Sequence, residues 1–386
     1  MRLFKYTLAL LILFQTTLAI AAPRFQPEAA RLYDAGVRAL THGEQEKAKI
    51  NLEKAVKLDA SLADAHCVLG MIYKGAEEVH AAAEAFRQAI IADVNYIEAY
   101  CELGDILLIH LGDSTQATQV LQEAIAMDPD YARARALLGI TFFRDNLIDA
   151  AISELQHAIK LDPTLKTARY TLGTALLQKE AWQSAIDTFK ELIEIDPFHA
   201  KAYFSLGTAY RHIGEMETAQ KNLQRFEVLS IEEEKLTHLK KFVQQNPTNA
   251  EAWYRLGRLE LKRELWRDAT QSLERYVTLA PQEIRGYEAL GYVQFQRQNY
   301  PQAKAMYEKA ITHKPNVATY RNSLGGVYLM LEDYTQAIAQ YQTAIDLHPT
   351  EPRFYLNLSK AYELAGAYTE AAKIYQEYER LTSKSK

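Results

Sequence analysis

The sequence has little of what most enzymes, metalloproteins and membrane proteins display. Its 386 residues include only two cysteines, Cys67 and Cys101. His-Glu-x-x-His, a glycine-rich phosphate loop and a Gly-x-Ser-x-Gly elbow are all missing, which removes the common metalloprotease, nucleotide and hydrolase signatures. The ten histidines are scattered without metal-ligand spacing. Glu77-x-x-His80 places two ligand types on one helical face, but a di-metal site needs matching pairs on other helices, and none is evident. Basic charge is in deficit, with 44 Lys and Arg against 49 Asp and Glu. Nucleic acid selects a concentrated basic surface, so it is a poor candidate partner. The apolar run Leu8–Phe14 is too short to span a bilayer well.

What is present is a rhythm. In the stretch 166–199, Tyr170, Leu172, Gly173 and Leu176 share one face of a helix, and Ala185, Phe189 and Leu192 share one face of a second. Gly173 and Ala185 are small where the two axes would cross about 8–10 Å apart, and Phe189 fills the space beside them. Pro197 stops the pair. The glycine recurs at Gly36, Gly70, Gly104, Gly139, Gly173, Gly207, Gly257, Gly291 and Gly325, with Ser359 in the tenth place; the spacing is 34 residues except for one of 35 and one of 50. An alanine of the second helix keeps step from Ala48 to Ala371, and a closing proline from Pro129 to Pro349. Repeats one and two carry Ala60 and Val94 in place of that proline, so their turns are expected to be less sharply stopped. Most of the 24 tyrosines, among them Tyr170, Tyr203, Tyr210, Tyr307, Tyr328 and Tyr375, fall on packing positions.

A 34-residue period of Leu-Gly, Ala, Phe or Tyr and Pro resembles the tetratricopeptide repeat family. The resemblance covers about residues 29–381. It implies an all-α superhelical solenoid of about ten helix-turn-helix repeats, acting without catalysis or cofactor through a concave groove that binds a peptide or partner helix. The chaperone-binding members use a carboxylate clamp of Lys, Asn and Arg. Here Tyr254 stands at the clamp's first lysine and the paired asparagines are missing, so recognition of a chaperone C-terminus is not expected.

The remaining segments qualify that picture. Arg2 and Lys5, the apolar run and Ala19-Ile20-Ala21 read as a secretory signal peptide over 1–21, with an uncleaved anchor as the alternative. No cysteine follows the run, which closes the lipoprotein route. Export predicts a periplasmic or secreted protein, and losing Arg2 and Lys5 takes the net charge from −5 to −7. Repeats one to six would span 29–229 and repeats seven to ten 250–381. Repeat three carries an extra residue, expected in its turn near Gly112. The inserted segment 230–249 includes Ser230-x-x-Glu233, a capping-box pattern that favours a new helix; extension of the preceding helix is the other reading. The tail 382–386 is expected to be disordered. Ile374, Tyr375, Tyr378 and Leu381 give the last helix an apolar face, part of it packed inward. Cys67 and Cys101 occupy equivalent positions in adjacent repeats, too far apart for easy bridging, so buried free thiols are expected, with a native disulfide as the alternative in an oxidising compartment.

The candidate site is the groove. Repeats one to three offer Tyr33, Val37, Asp64, Cys67, Met71, Glu98, Cys101 and Asp105, acidic and apolar. Repeats five to eight offer Tyr170, Lys201, Phe204, Arg211, His212, Tyr254, Arg258, Lys262, Arg285, Tyr292 and Phe295, basic and aromatic, interrupted by Glu251 and Glu288. Such a lining suits an acidic, extended protein segment. The expectation is a scaffold or adaptor in an envelope assembly, associated with a membrane complex. A polysaccharide-binding role, with Tyr254, Tyr292 and Trp253 stacking on sugars, and self-association through the terminal repeats are the alternatives.

Overall fold

The computed structural model describes residues 26–383. The expected signal peptide, residues 1–21, lies outside them. The described residues form twenty α-helices and no strand. The chain divides between Phe226 and Glu227 into two compact units. The first contains α1 (Pro27–Thr41), α2 (Gln45–Leu58), α3 (Ala63–Gly75), α4 (Val79–Ala92), α5 (Ile97–Ile106), α6 (Ser114–Met127), α7 (Ala132–Arg144), α8 (Ile148–Leu161), α9 (Lys166–Gln178), α10 (Trp182–Ile195) and α11 (Ala200–His212). The helix α12 (Met216–Gln245) contributes residues to both units. The second unit continues with α13 (Ala250–Lys262), α14 (Trp266–Leu279), α15 (Ile284–Gln296), α16 (Tyr300–His313), α17 (Ala318–Met330), α18 (Tyr334–Leu347), α19 (Pro352–Leu364) and α20 (Tyr368–Ser383).

Within each unit the helices stack as hairpins, each first helix against its own second and each second against the next first. The periodic glycines explain the close crossing. A Cβ on Gly173 would lie 2.6 Å from Cε1 of Phe189, and one on Gly36 2.7 Å from Cγ of Leu52. The second-helix alanines Ala151 and Ala185 are fully buried. No hairpin buries its apolar stripe alone, so stability comes from neighbours. Each hairpin turn also holds one residue in the left-handed region. Glycine does this at Gly43, Gly112, Gly214 and Gly366, while Glu77, Asn146, Glu180, Glu264, Gln298 and Glu332 do it at a steric cost.

Five expectations are corrected. The extra residue of repeat three sits in the helix: α5 runs on as a π-helix, Leu107–Leu111, and only Gly112 and Asp113 remain as the turn. The wider spiral absorbs the residue. The Leu108 carbonyl accepts from Arg144 Nη1, and the Leu107 carbonyl from the Asp113 amide at 2.8 Å. Repeats one and two stop as sharply as the others: Asp59 (φ −142°, ψ 98°) and Asp93 (φ −143°, ψ 105°) match Asp128 before Pro129 (φ −136°, ψ 97°). The aspartate does the stopping, because its carboxylate accepts the amide two residues on, at 3.0 Å for Ser61, Asn95 and Asp130 alike.

The capping box starts no helix. Ser230 and Glu233 lie inside α12, which contains neither glycine nor proline, and continuing a helix costs less than nucleating another. Thr382 and Ser383 belong to α20, and only 384–386 of the expected tail fall outside the described residues. Tyr375 is exposed, at 42%. It stands where other repeats place the residue under the glycine, but Ser359 replaces that glycine and donates its hydroxyl to the Ala371 carbonyl at 2.9 Å. Of the other tyrosines, Tyr210, Tyr307 and Tyr328 are buried. On α20, Ile374 packs inward against the core.

Candidate functional site

In the first unit, α11 turns Ala202, Leu206, Ala209 and Tyr210 into the core. That leaves Lys201, Phe204, Arg211 and His212 exposed on the helix. Phe204 is 49% exposed and keeps one edge on Phe226, with centroids 5.2 Å apart. His212 is already occupied, stacked on Trp182 at 4.0 Å and 3°. Lys201 and Arg211 make no ion pair among the described residues. Tyr170 is a packing residue: its half-buried ring lies 5.9 Å from Phe189 and 5.0 Å from His199.

In the second unit most of the expected cations are neutralised internally. The Arg285 guanidinium pairs with Glu251 at 2.6 Å, donates to the Tyr276 hydroxyl at 2.8 Å and covers the Tyr254 ring at 4.4 Å. Lys262 pairs with the buried Glu232 at 2.5 Å. Phe295 packs edge-on to Tyr300 at 5.6 Å, while Tyr292 is half exposed beside Trp266 at 6.4 Å. Arg258 remains, exposed and without an ion pair among the described residues, over an open hollow of about 540 Å³ along α13. The eleven predicted residues are therefore divided, five in the first unit and six in the second.

The acidic group of repeats two and three is also paired. Lys74 Nζ lies 2.7 Å from Glu102 and 2.5 Å from Asp105. Arg133 bridges Glu98 and Glu102, and the Tyr131 hydroxyl donates to Glu98 at 2.6 Å. Burial alone would raise the Glu102 carboxyl, but Arg133 and Lys74 hold it below the usual range. Asp64 has no such cation, and burial pushes it up. Cys67 and Cys101 are free and fully buried, and burial raises both thiols, which makes them inert. Sequence reasoning missed Lys74, Arg133, Glu102 and Tyr131. The available signal was charge opposite charge about one repeat apart, since Lys74–Asp105 and Arg133–Glu98 span 31 and 35 residues.

Among the described residues no group of three or more His, Cys, Asp or Glu is placed to hold a metal ion. No described helix is long and apolar enough to cross a membrane.

Tetratricopeptide-repeat profiles match residues 63–93, 108–175, 188–221, 236–284, 288–352 and 328–386. No curated protein matches the chain. Among solved structures it is similar to MamA, at 27% identity over 43% of this chain and 97% of that one, with a TM-score of 0.40. It is also similar to YrrB, a TPR protein with an unusual peptide-binding site, at 20% identity over 49% and 97% with a TM-score of 0.40. PilF of Pseudomonas aeruginosa matches at 20% identity over 50% and 88%, with a TM-score of 0.46.

Proposed function

Because the chain belongs to the tetratricopeptide repeat family, we propose that it is a non-catalytic scaffold holding an acidic, extended segment of a partner protein. The observation that carries this reading is the face of α11, where Phe204 stands exposed with Lys201 and Arg211, neither of which has an ion pair among the described residues. On α13 of the second unit, Arg258 is a separate exposed cation without an ion pair among the described residues. The scaffold is exported to the periplasm and works in an envelope assembly; the motivation is the N-terminal sequence alone.

Magnitudes separate the roles of these residues. An exposed ion pair contributes about 0–1 kcal/mol, whereas burying a phenylalanine side chain contributes about 1.5–3 kcal/mol. Phe204 therefore supplies affinity, and the cations supply orientation and salt dependence. A sugar platform is less well supported, because Arg285 covers the Tyr254 ring and the Trp253 indole donates to the Pro247 carbonyl at 3.0 Å.

A photo-crosslinking residue at Thr208, beside Phe204 on α11, should capture one protein in the native envelope. Phe204→Ala should weaken that capture at every salt concentration, and Arg211→Glu mainly at low salt. Capture unchanged in both variants would refute α11 as the site, and glycan as the sole crosslinked product would favour the sugar reading.

A further inference from the structure

The 16-residue excess in the interval from Gly207 to Gly257 leaves a second helix without its first. In complete repeats the residues twelve, eight and five places before the closing proline are buried against first helices: Phe189 lies under Gly173 of its own, while Tyr276 touches Tyr254 of its own and lies under Gly286 of the next. Ala151, Leu155 and Ala158 precede Pro163 in this way, Ala185, Phe189 and Leu192 precede Pro197, and Ala269, Leu273 and Tyr276 precede Pro281. All nine are closed to solvent. The same places before Pro247 hold Lys235, Leu239 and Phe242. Lys235 and Phe242 are exposed and Leu239 is half-buried.

The other side of this stretch of α12 is seated normally. Val243 and Leu236 pack with Ala252 and Leu256 of α13, half-buried Leu239 joins them from the margin of the opposite face, and Lys240 pairs with Asp268 at 3.0 Å. What is bare is the face that a first helix covers elsewhere. At 100° per residue, Val228, Ile231, Lys235, Leu239 and Phe242 form one stripe, about 80° wide and about 21 Å long. Val228 is 46% exposed, and Ile231 and Phe242 are each 44% exposed. Lys235 sits at its middle, without an ion pair among the described residues.

We infer that this stripe docks one amphipathic helix of a partner protein, seated in the missing first-helix position and presenting a carboxylate to Lys235. The apolar residues define the length and direction of the occupant. Lysine in place of the usual alanine prevents the close glycine crossing seen in complete repeats, so the occupant stands further off and reaches the ammonium with an acidic side chain. A second copy of this chain is disfavoured by charge. A two-fold axis through the middle of the stripe would oppose Lys235 to its own counterpart.

The probe is a helix-stapled peptide copying α9 (Lys166–Gln178) with Gly173→Glu, compared with the same peptide carrying Gly173→Lys. Binding to the full chain is read by fluorescence anisotropy. The glutamate peptide should bind roughly fivefold tighter than the lysine peptide. Lys235→Glu should reverse that order, and Phe242→Ala should weaken both peptides by roughly tenfold or more. Arg211→Glu should change neither, which separates this site from the α11 face. No saturable binding, or an order that Lys235→Glu leaves unchanged, would overturn the inference. So would a sedimenting dimer that Phe242→Ala abolishes, because the stripe would then belong to a second copy.

Discussion

Two consecutive glycines on α17 should respond unequally to the same substitution, and only the second should gain stability. Gly325 and Gly326 share one helix, so Gly→Ala improves helix propensity by about 0.8–1 kcal/mol at each. Tertiary surroundings separate them. A Cβ on Gly325 would lie 2.8 Å from Cδ1 and Cε1 of Tyr341 and 3.1 Å from its Cγ. Tyr341 is buried, with Leu324, Leu358 and Ala337 in the same cluster, and cannot retreat freely. Overpacking of this kind costs about 1–3 kcal/mol. The Cβ on Gly326 meets only the Tyr341 hydroxyl oxygen, at 3.6 Å, an ordinary contact. Gly326→Ala should therefore stabilise by about 1 kcal/mol, and Gly325→Ala should be neutral to destabilising by about 2 kcal/mol. Stacked repeats need not unfold in one step, so the assay is native-state hydrogen exchange at the α17 and α18 amides. Each 1 kcal/mol appears there as roughly a fivefold change in protection. Equal gains at both positions would refute the steric reading of the periodic glycines.

Two further outcomes follow from the local geometry. Glu260 is almost fully buried, accepting from the Ser272 hydroxyl at 2.6 Å, with Lys240 3.6 Å away and shared with Asp268; burial outweighs these partners and raises its carboxyl to about 7. A raised acid stabilises the fold at acidic pH, and the stabilisation is lost as pH rises from the ordinary carboxylate value through about 7. Glu260→Gln should therefore match the parent near pH 4 and exceed it at pH 8 by on the order of 2–3 kcal/mol, measured by urea unfolding at each pH. Glu180 holds φ 57° in the turn after α9. Glu180→Gly should raise stability by about 1 kcal/mol, whereas Gly214→Ala, at φ 83°, should lower it by a similar amount; thermal unfolding that moves both the same way would contradict the left-handed assignment.

Much of the hairpin fold could be read from the chain because its information is local and repeated. Leu172-Gly173, Ala185, Phe189 and Pro197 specify one hairpin, and phased copies leave little freedom in how neighbours pack. The misreadings came where a weak local signal met a stronger competitor. The capping box at Ser230 lost to an uninterrupted run of helix formers, and the missing prolines at Ala60 and Val94 were made up by Asp59 and Asp93. The extra residue of repeat three went into a π-helix, because a wider turn of helix keeps Leu107 and Leu108 buried.

The groove was legible in its membership but not in its chemistry. Repeat phase alone determined that Lys201, Arg211, Arg258, Lys262 and Arg285 are surface cations on first helices. Only the tertiary structure decided which of them are free, because a charge is neutralised by a partner whose position depends on side-chain reach across stacked helices. Arg285 finds Glu251 34 residues away and Lys262 finds Glu232 30 away, while Lys201, Arg211 and Arg258 have no acidic partner among the described residues. In the same way the period by itself determined that 16 residues were added, and only the continuous α12 showed that they form a second helix whose inner face no first helix covers among the described residues.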